Sequence, residues 1–224
     1  MLGIALILFP NSTQVSSKEV YGKVFCRNMA CQGKIALTFD DGPHPRYTKE
    51  ILSILEEYHI TATFFIIGVN AEHYPDDLRK IVEAGCEIGN HSYSHHPVKT
   101  LSETELEQEI TRCEETINQL CGIRPSIFRP PEGMVTDSLK TIISEKEYQI
   151  VLWSIDTMDW SMTPSADIYR NVTSNLHGGD IILMHDYVSG GNTTCKALRQ
   201  FIPVLLQRGY KFVTVSELIK GDRE

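Results

Sequence analysis

From Lys34 onward the chain alternates short apolar runs with longer amphipathic ones, and no low-complexity linker or break in composition interrupts the rhythm. The short runs, bounded by turn-forming residues, predict strands over 35–39, 62–67, 86–89, 126–129, 150–155, 180–184 and 211–215. Between them, apolar residues recur at three- and four-residue steps and predict helices over 48–58, 75–84, 102–120, 137–146, 165–176 and 194–208. In the clearest helix, Ser102 and Glu105 have the spacing of a capping box, and Leu106, Ile110, Cys113, Ile117 and Leu120 share one stripe. Seven strand–helix alternations predict an α/β fold of parallel strands, as an open doubly wound sheet or a barrel. The polar residues favour the barrel. Asp40 and Asp41, His91, Arg129, Asp156 and His185 all fall at or just after the C-terminal end of a predicted strand, where a parallel barrel gathers its active site. A switch-point crevice in an open sheet would draw on fewer strands.

The length of 224 residues fits one domain, and 42% hydrophobic with 22% charged residues supplies an ordinary core. A net charge of −8 argues against nucleic acid or an anionic membrane as partner, because phosphate binding draws on clustered Lys and Arg. Met1 to Pro10 is nearly all apolar and Asn11 to Ser17 small and polar, so residues 1–17 read as a signal peptide or disordered N-terminus and 18–224 as the functional domain. The apolar run is too short to span a bilayer, and the expected location is secreted or cell-wall. Asn11, Asn171 and Asn192 begin Asn-x-Ser/Thr sequons, candidate glycosylation sites on a secretory route. The six cysteines match no zinc-finger spacing. An even count with a signal-like start favours disulfides: Cys113 with Cys121, and Cys195 with Cys26 or Cys31, while Cys86 reads as a buried thiol.

The candidate chemistry lies at the strand ends. Thr38-Phe39-Asp40-Asp41-Gly42-Pro43 leaves its strand with adjacent carboxylates; one can bind metal while the other faces water. His91-Ser92-Tyr93-Ser94-His95 sets two imidazoles four residues apart, on one face if the segment turns helically, with His96 as a loop residue. Two His and one carboxylate with an open fourth position make a catalytic divalent-metal site. Arg129-Pro130-Pro131-Glu132-Gly133 is a stiff loop whose Arg can pin a carboxylate, Asp156-Thr157-Met158-Asp159-Trp160 adds two carboxylates and an aromatic plate, and Leu183-Met184-His185-Asp186 ends on a His where an acid catalyst would stand.

In that order, TFDDGP, HSYSH, RPPEG, DTMDW and LMH resemble the five motifs of the polysaccharide deacetylases of carbohydrate esterase family 4, which include chitin, peptidoglycan and xylan deacetylases; the resemblance covers roughly 34–218. It implies a distorted (β/α)7-8 barrel in which Asp41, His91 and His95 bind Zn2+, Co2+ or another divalent ion. It further implies Asp40 as general base, oriented by Arg129, and His185 as acid, tuned by Asp159. Glu132, Trp160 and Leu183 then fall on substrate-binding positions, with the backbone N–H of Glu132 helping to hold the oxyanion. The expected activity is amide hydrolysis that removes N-acetyl groups from an N-acetylglucosamine polymer. Sequons and cysteines point to chitin, with peptidoglycan or xylan as alternatives, and the expected form is a monomer. The sequence departs from the motif at Glu132, where Tyr is usual, which keeps open a weak or inactive carbohydrate-binding wall protein.

Overall fold

The computed structural model describes residues 21–187 and 193–221. Among these residues nine strands form one sheet: β1 (Val24–Phe25), β2 (Lys34–Gly42), β3 (Thr63–Ile66), β4 (Glu87–Asn90), β5 (Ile127–Phe128), β6 (Gln149–Val151), β7 (Ile155–Asp156), β8 (Ile181–His185) and β9 (Lys211–Val213). They pair in parallel in the order β1-β6-β5-β4-β3-β2-β8-β7, with β9 beside the start of β2. The helices are α1 (Tyr47–Glu57), α2 (Gly68–His73), α3 (Pro75–Glu83), α4 (Glu103–Cys121), α5 (Asp137–Glu145), α6 (Ser165–Asn175), α7 (Thr193–Gln207) and α8 (Val215–Lys220). Ile35, Leu37, Phe39, Phe64 and Phe65 are fully buried, because helices on one side and the curled sheet's interior on the other cover both faces of the central strands. The capping box of α4 forms, with Ser102 N–H donating to Glu105 Oε2 at 2.8 Å, and Gly122 at φ 73° ends the helix.

The expected strand over 150–155 is two strands, and the break explains the overall shape. β6 pairs with β1 and β5, whereas β7 pairs with β8 at the other end of the strand order. Only three residues separate Val151 from Ile155, four steps and at most about 14 Å of chain, so the sheet must curl until its two ends nearly meet. The result is a half-barrel with a seam at Leu152–Ser154, in agreement with the expected distorted barrel. α2, α8 and β1 are too short to register as a period and escape sequence reading. In α8 a second capping box, Thr214 with Glu217, ends the predicted strand 211–215 early.

The disulfides are not formed. Cys113 and Cys121 both lie within α4, eight residues and about 12 Å of helix axis apart, beyond the reach of a disulfide; their thiols donate instead to the carbonyls of Ile66 and Ile117. Cys195 is buried on α7 in the main core, Cys31 packs in a separate cluster with Val215 and Leu218, and Cys26 is exposed. Cys86 is buried, which pushes its thiol pKa up. Asn171 sits on helix α6 with its amide donating to the Thr157 carbonyl. Residues 1–17, with Asn11, and Asn192 lie outside the described residues. No helix among the described residues is long and apolar enough to cross a membrane.

Candidate active site

Asp40 and Asp41 reach one cavity because β2 carries a bulge. Asp40 pairs with Phe65 and Gly42 with Ile66, so Asp41 is the extra residue. Its φ of 74° is a left-handed conformation that Asp tolerates. Gly42 is required for space: a Cβ there would come within 2.1 Å of Asp186 Oδ2.

The two imidazoles also converge, but without a helical turn. The segment after β4 is a loop in which Ser92 and His95 take φ of 65° and 58°. Side chains hold it: Asn90 Oδ1 accepts from Ser92 N–H at 2.9 Å, Ser92 Oγ from His95 N–H at 3.0 Å, and Glu109 Oε2 from Ser94 N–H at 2.8 Å. His96 stays on the exposed side of this loop, hydrogen-bonded to Ser94.

Asp41, His91 and His95 offer ligand atoms that all lie within 4.8 Å of one another. Nε2 of His91 and of His95 stand 3.5 and 3.4 Å from Asp41 Oδ1. A tetrahedral ion with bonds of roughly 2.0–2.1 Å separates its ligands by about 3.4 Å, so the set fits zinc or an ion of similar size. Asp41 Oδ1 is buried without a hydrogen-bond partner, the signature of an acceptor awaiting a cation. Burial raises the Asp41 carboxyl, but His91 and the charges of His185 and His95 outweigh it and hold the group at about 2. His91 Nδ1 lies 2.7 Å from the Arg129 carbonyl, which fixes the tautomer that leaves Nε2 free to bind metal.

Arg129, fully buried, organises the base. Its Nη1 donates to Asp40 Oδ1 at 2.6 Å and to Thr38 Oγ1 at 2.8 Å, its Nε to the Val151 carbonyl at 3.3 Å and its Nη2 to the Leu152 carbonyl at 3.1 Å. Asp40 is 3% exposed, and its Oδ2 lies 3.7 Å from His91 Nε2, on the metal side. His185 is placed across from Asp40 by strand register. Its Nδ1 is 2.8 Å from Asp159 Oδ1, while Asp159 Oδ2 accepts from His185 N–H and Thr194 Oγ1, each at 2.9 Å. Burial lowers the His185 pKa, but the hydrogen bond and charge of Asp159 outweigh it and lift the imidazole to about 9.

Asp40, Asp41, His91, His95 and His185 line one cavity of about 480 Å³ with Glu132, Trp160 and Leu183. Glu132 is exposed on a 3-10 turn at φ 58°, Trp160 is half exposed and Leu183 is buried. Sequence reading missed Trp153 and Gly133, which also line the cavity, and Thr38 and Thr194, which hold Arg129 and Asp159. A single threonine on a strand or at the start of a helix carries no periodic signal, and Trp153 reads as part of a continuous strand until the seam is seen.

The polysaccharide deacetylase family profile matches residues 27–151. A peptidoglycan-N-acetylglucosamine deacetylase of Bacillus cereus is 37% identical over 195 residues, which cover 86% of this chain and 70% of that protein. The crystal structure of the Bc1960 peptidoglycan N-acetylglucosamine deacetylase superposes with a TM-score of 0.85 at 35% identity, over 95% of this chain and 100% of that one. A pseudoenzyme of carbohydrate esterase family 4 from Bacillus anthracis gives 0.82 at 29% identity, over 88% and 69%.

Proposed function

The chain belongs to the polysaccharide deacetylase family, and from that premise we propose that it removes N-acetyl groups from peptidoglycan, using a divalent ion held by Asp41, His91 and His95. The observation that carries this reading is the convergence of three groups in one cavity: the ligand triad, an Arg-bound carboxylate and an Asp-bound imidazole. Peptidoglycan replaces chitin as the favoured polymer. The disulfides that argued for chitin are not formed, and two of the relatives named above, the Bacillus cereus protein and Bc1960, are peptidoglycan N-acetylglucosamine deacetylases.

An ion bound there would supply polarisation of the acetamide carbonyl and acidification of water. The chain's own groups do the rest. Arg129 occupies Asp40 Oδ1, so Oδ2 is the atom that takes the proton from the attacking water. Arg129 also holds the Asp40 carboxylate correctly turned. The backbone N–H of Glu132 is the proposed donor to the carbonyl oxygen as it gains charge. His185, protonated by virtue of Asp159, gives its Nε2 proton to the departing nitrogen, and the products are the free amine and acetate. Leu183 and Trp160 supply apolar walls for the acetyl methyl and the sugar ring. Secretion to the wall is part of the same proposal.

A second reading follows from Glu132, whose carboxylate stands on the cavity wall: a fold that binds glycan with little or no turnover. Acetate release from peptidoglycan, N-acetylglucosamine oligomers and acetylxylan, with zinc or cobalt supplied, separates the two. Release from peptidoglycan, abolished in Asp40→Asn, supports the enzyme. Absence of release from every substrate, by the parent and by Glu132→Tyr, with oligomer binding retained, would establish the binding protein.

A further inference from the structure

Three aromatic rings gather where the chain leaves β2 and β8, and the cavity just described makes no use of them. His44 lies 4.8 Å from Tyr47 and 4.9 Å from Tyr187, nearly parallel to both, and the two tyrosines are 6.1 Å apart. Arg46 stands over the Tyr47 ring at 5.4 Å. Tyr187 is 49% exposed, so the stacked ring remains accessible from solvent.

The cluster has a stiff base. His44 Nδ1 accepts the backbone N–H groups of Arg46 and Tyr47, both at 3.2 Å, and its own N–H donates to Thr48 Oγ1 at 2.7 Å. Thr48 Oγ1 in turn donates to the buried carboxylate of Asp186, next in the chain to Tyr187. The two loops that carry the rings are therefore tied together by hydrogen bonds as well as by stacking. Burial and Arg46 lower the His44 pKa, which keeps Nδ1 an acceptor.

Position follows from the strands. Asp40 and His185 are register partners on adjacent strands, β2 and β8. His44 comes three residues after Asp41 and Tyr187 two after His185, so their Cα atoms lie within about 11 Å and about 7 Å of those residues. Those limits keep the cluster beside the strand ends that carry the cavity, within reach of a glycan that extends beyond its reacting unit.

We propose that Tyr187, backed by His44 and Tyr47, is a platform on which a second sugar ring of the same glycan chain packs its C–H face. The proposal rests on the deacetylase reading for the location of the reacting sugar. A pre-stacked ring loses little freedom on binding, and the amphipathic face of a tyrosine suits a pyranose, which is apolar across its ring face and polar at its edge.

The test uses the full chain carrying Asp40→Asn, which holds substrate without turning it over, and titrates it with N-acetylglucosamine and its tetramer by calorimetry. Tyr187→Ala is expected to weaken tetramer binding about 2- to 10-fold, the worth of one aromatic contact, with monomer binding unchanged. Tyr187→Trp should restore the tetramer. With Asp40 intact, Tyr187→Ala should raise KM for the tetramer and leave kcat alone. Should Tyr187→Ala fold poorly, 3-fluorotyrosine incorporated throughout reads the same contact by fluorine NMR; the Tyr187 signal, identified by its loss in Tyr187→Phe, should shift with tetramer and not with monomer. Equal affinity of parent and Tyr187→Ala for the tetramer, or an unmoved Tyr187 signal at saturation, overturns the platform. Failure of the parent to release acetate, with Tyr187-dependent binding intact, sinks the deacetylase reading and leaves the platform standing.

Discussion

Replacing Asp159 with Asn tests the proposed acid at its source. Asp159 is fully buried and holds His185 through Nδ1, and against the effect of burial its hydrogen bond and charge are the leading cause, ahead of the charges of Asp40 and Asp41, that lifts the imidazole from 6.5 to about 9. That rise is worth about 3 kcal/mol at 1.36 kcal/mol per unit. In Asp159→Asn the amide is nearly isosteric and its oxygen can still accept from His185 N–H and Thr194, but its NH2 would face Nδ1 and favour neutral imidazole. With the pKa returned to 6.5, the protonated fraction at pH 8 falls from about nine-tenths to about 3%, a loss of about 30-fold in kcat/KM. Assayed by acetate release across pH 5–10, the alkaline limb should move from near 9 to 6.5 or below, with the rate at its plateau less affected. The same shift appears in stability. The raised pKa stabilises the folded state fully below pH 6.5, and this contribution is lost as pH rises through 9. Denaturant midpoints of the parent and Asp159→Asn should therefore differ most at pH 6 and converge above 9. An alkaline limb that stays at 9 in the variant would show that Asp159 does not set the acid, and the role given to His185 would fall with it.

Zinc at 100 times its Kd is expected to stabilise the parent by about 2.7 kcal/mol, seen as a rise in Tm, and His91→Ala should abolish the rise along with the single bound ion found by elemental analysis. Arg129→Lys keeps a positive charge near Asp40 but cannot reach the Val151 and Leu152 carbonyls together; each orphaned carbonyl should cost about 1–3 kcal/mol in urea unfolding. Asp186 is buried, which raises its pKa to about 7, so its contribution to stability is complete below pH 3.8 and lost as pH rises through 7. Asp186→Asn should remove that decline in the metal-free protein, gaining up to about 4 kcal/mol at pH 8, and a pH-independent difference between the two would refute the assignment.

Much of this architecture is readable from the chain because strands buried on both faces and amphipathic helices leave strong, different periods. The predicted helices over 102–120 and 137–146 match α4 and α5 to within a residue or so. Three strand ends are legible for the same reason, since Asp40, Arg129 and His185 each interrupt an apolar run. What could not be read was how neighbours are turned. Whether Asp40 and Asp41 face one cavity depends on a single bulge, and whether His91 and His95 converge depends on two left-handed residues, Ser92 and His95. Neither leaves a trace in hydrophobic pattern. The cysteine argument failed for a related reason. It read spacing along the chain as proximity, whereas eight residues of helix keep Cys113 and Cys121 apart.

The seam between β6 and β7 ties the timing of activity to the timing of folding. Val151 ends β6 and Leu152 enters the seam, and the guanidinium that answers both carbonyls is the one that neutralises Asp40. A molecule that has formed its helices and most of its strands, but has not drawn the sheet ends together, lacks the counter-ion of its own base. Catalytic competence is then a late event of assembly and an early casualty of unfolding. Under mild denaturation, inactivation would precede the loss of helical signal, because opening the seam costs less than melting the core strands behind it.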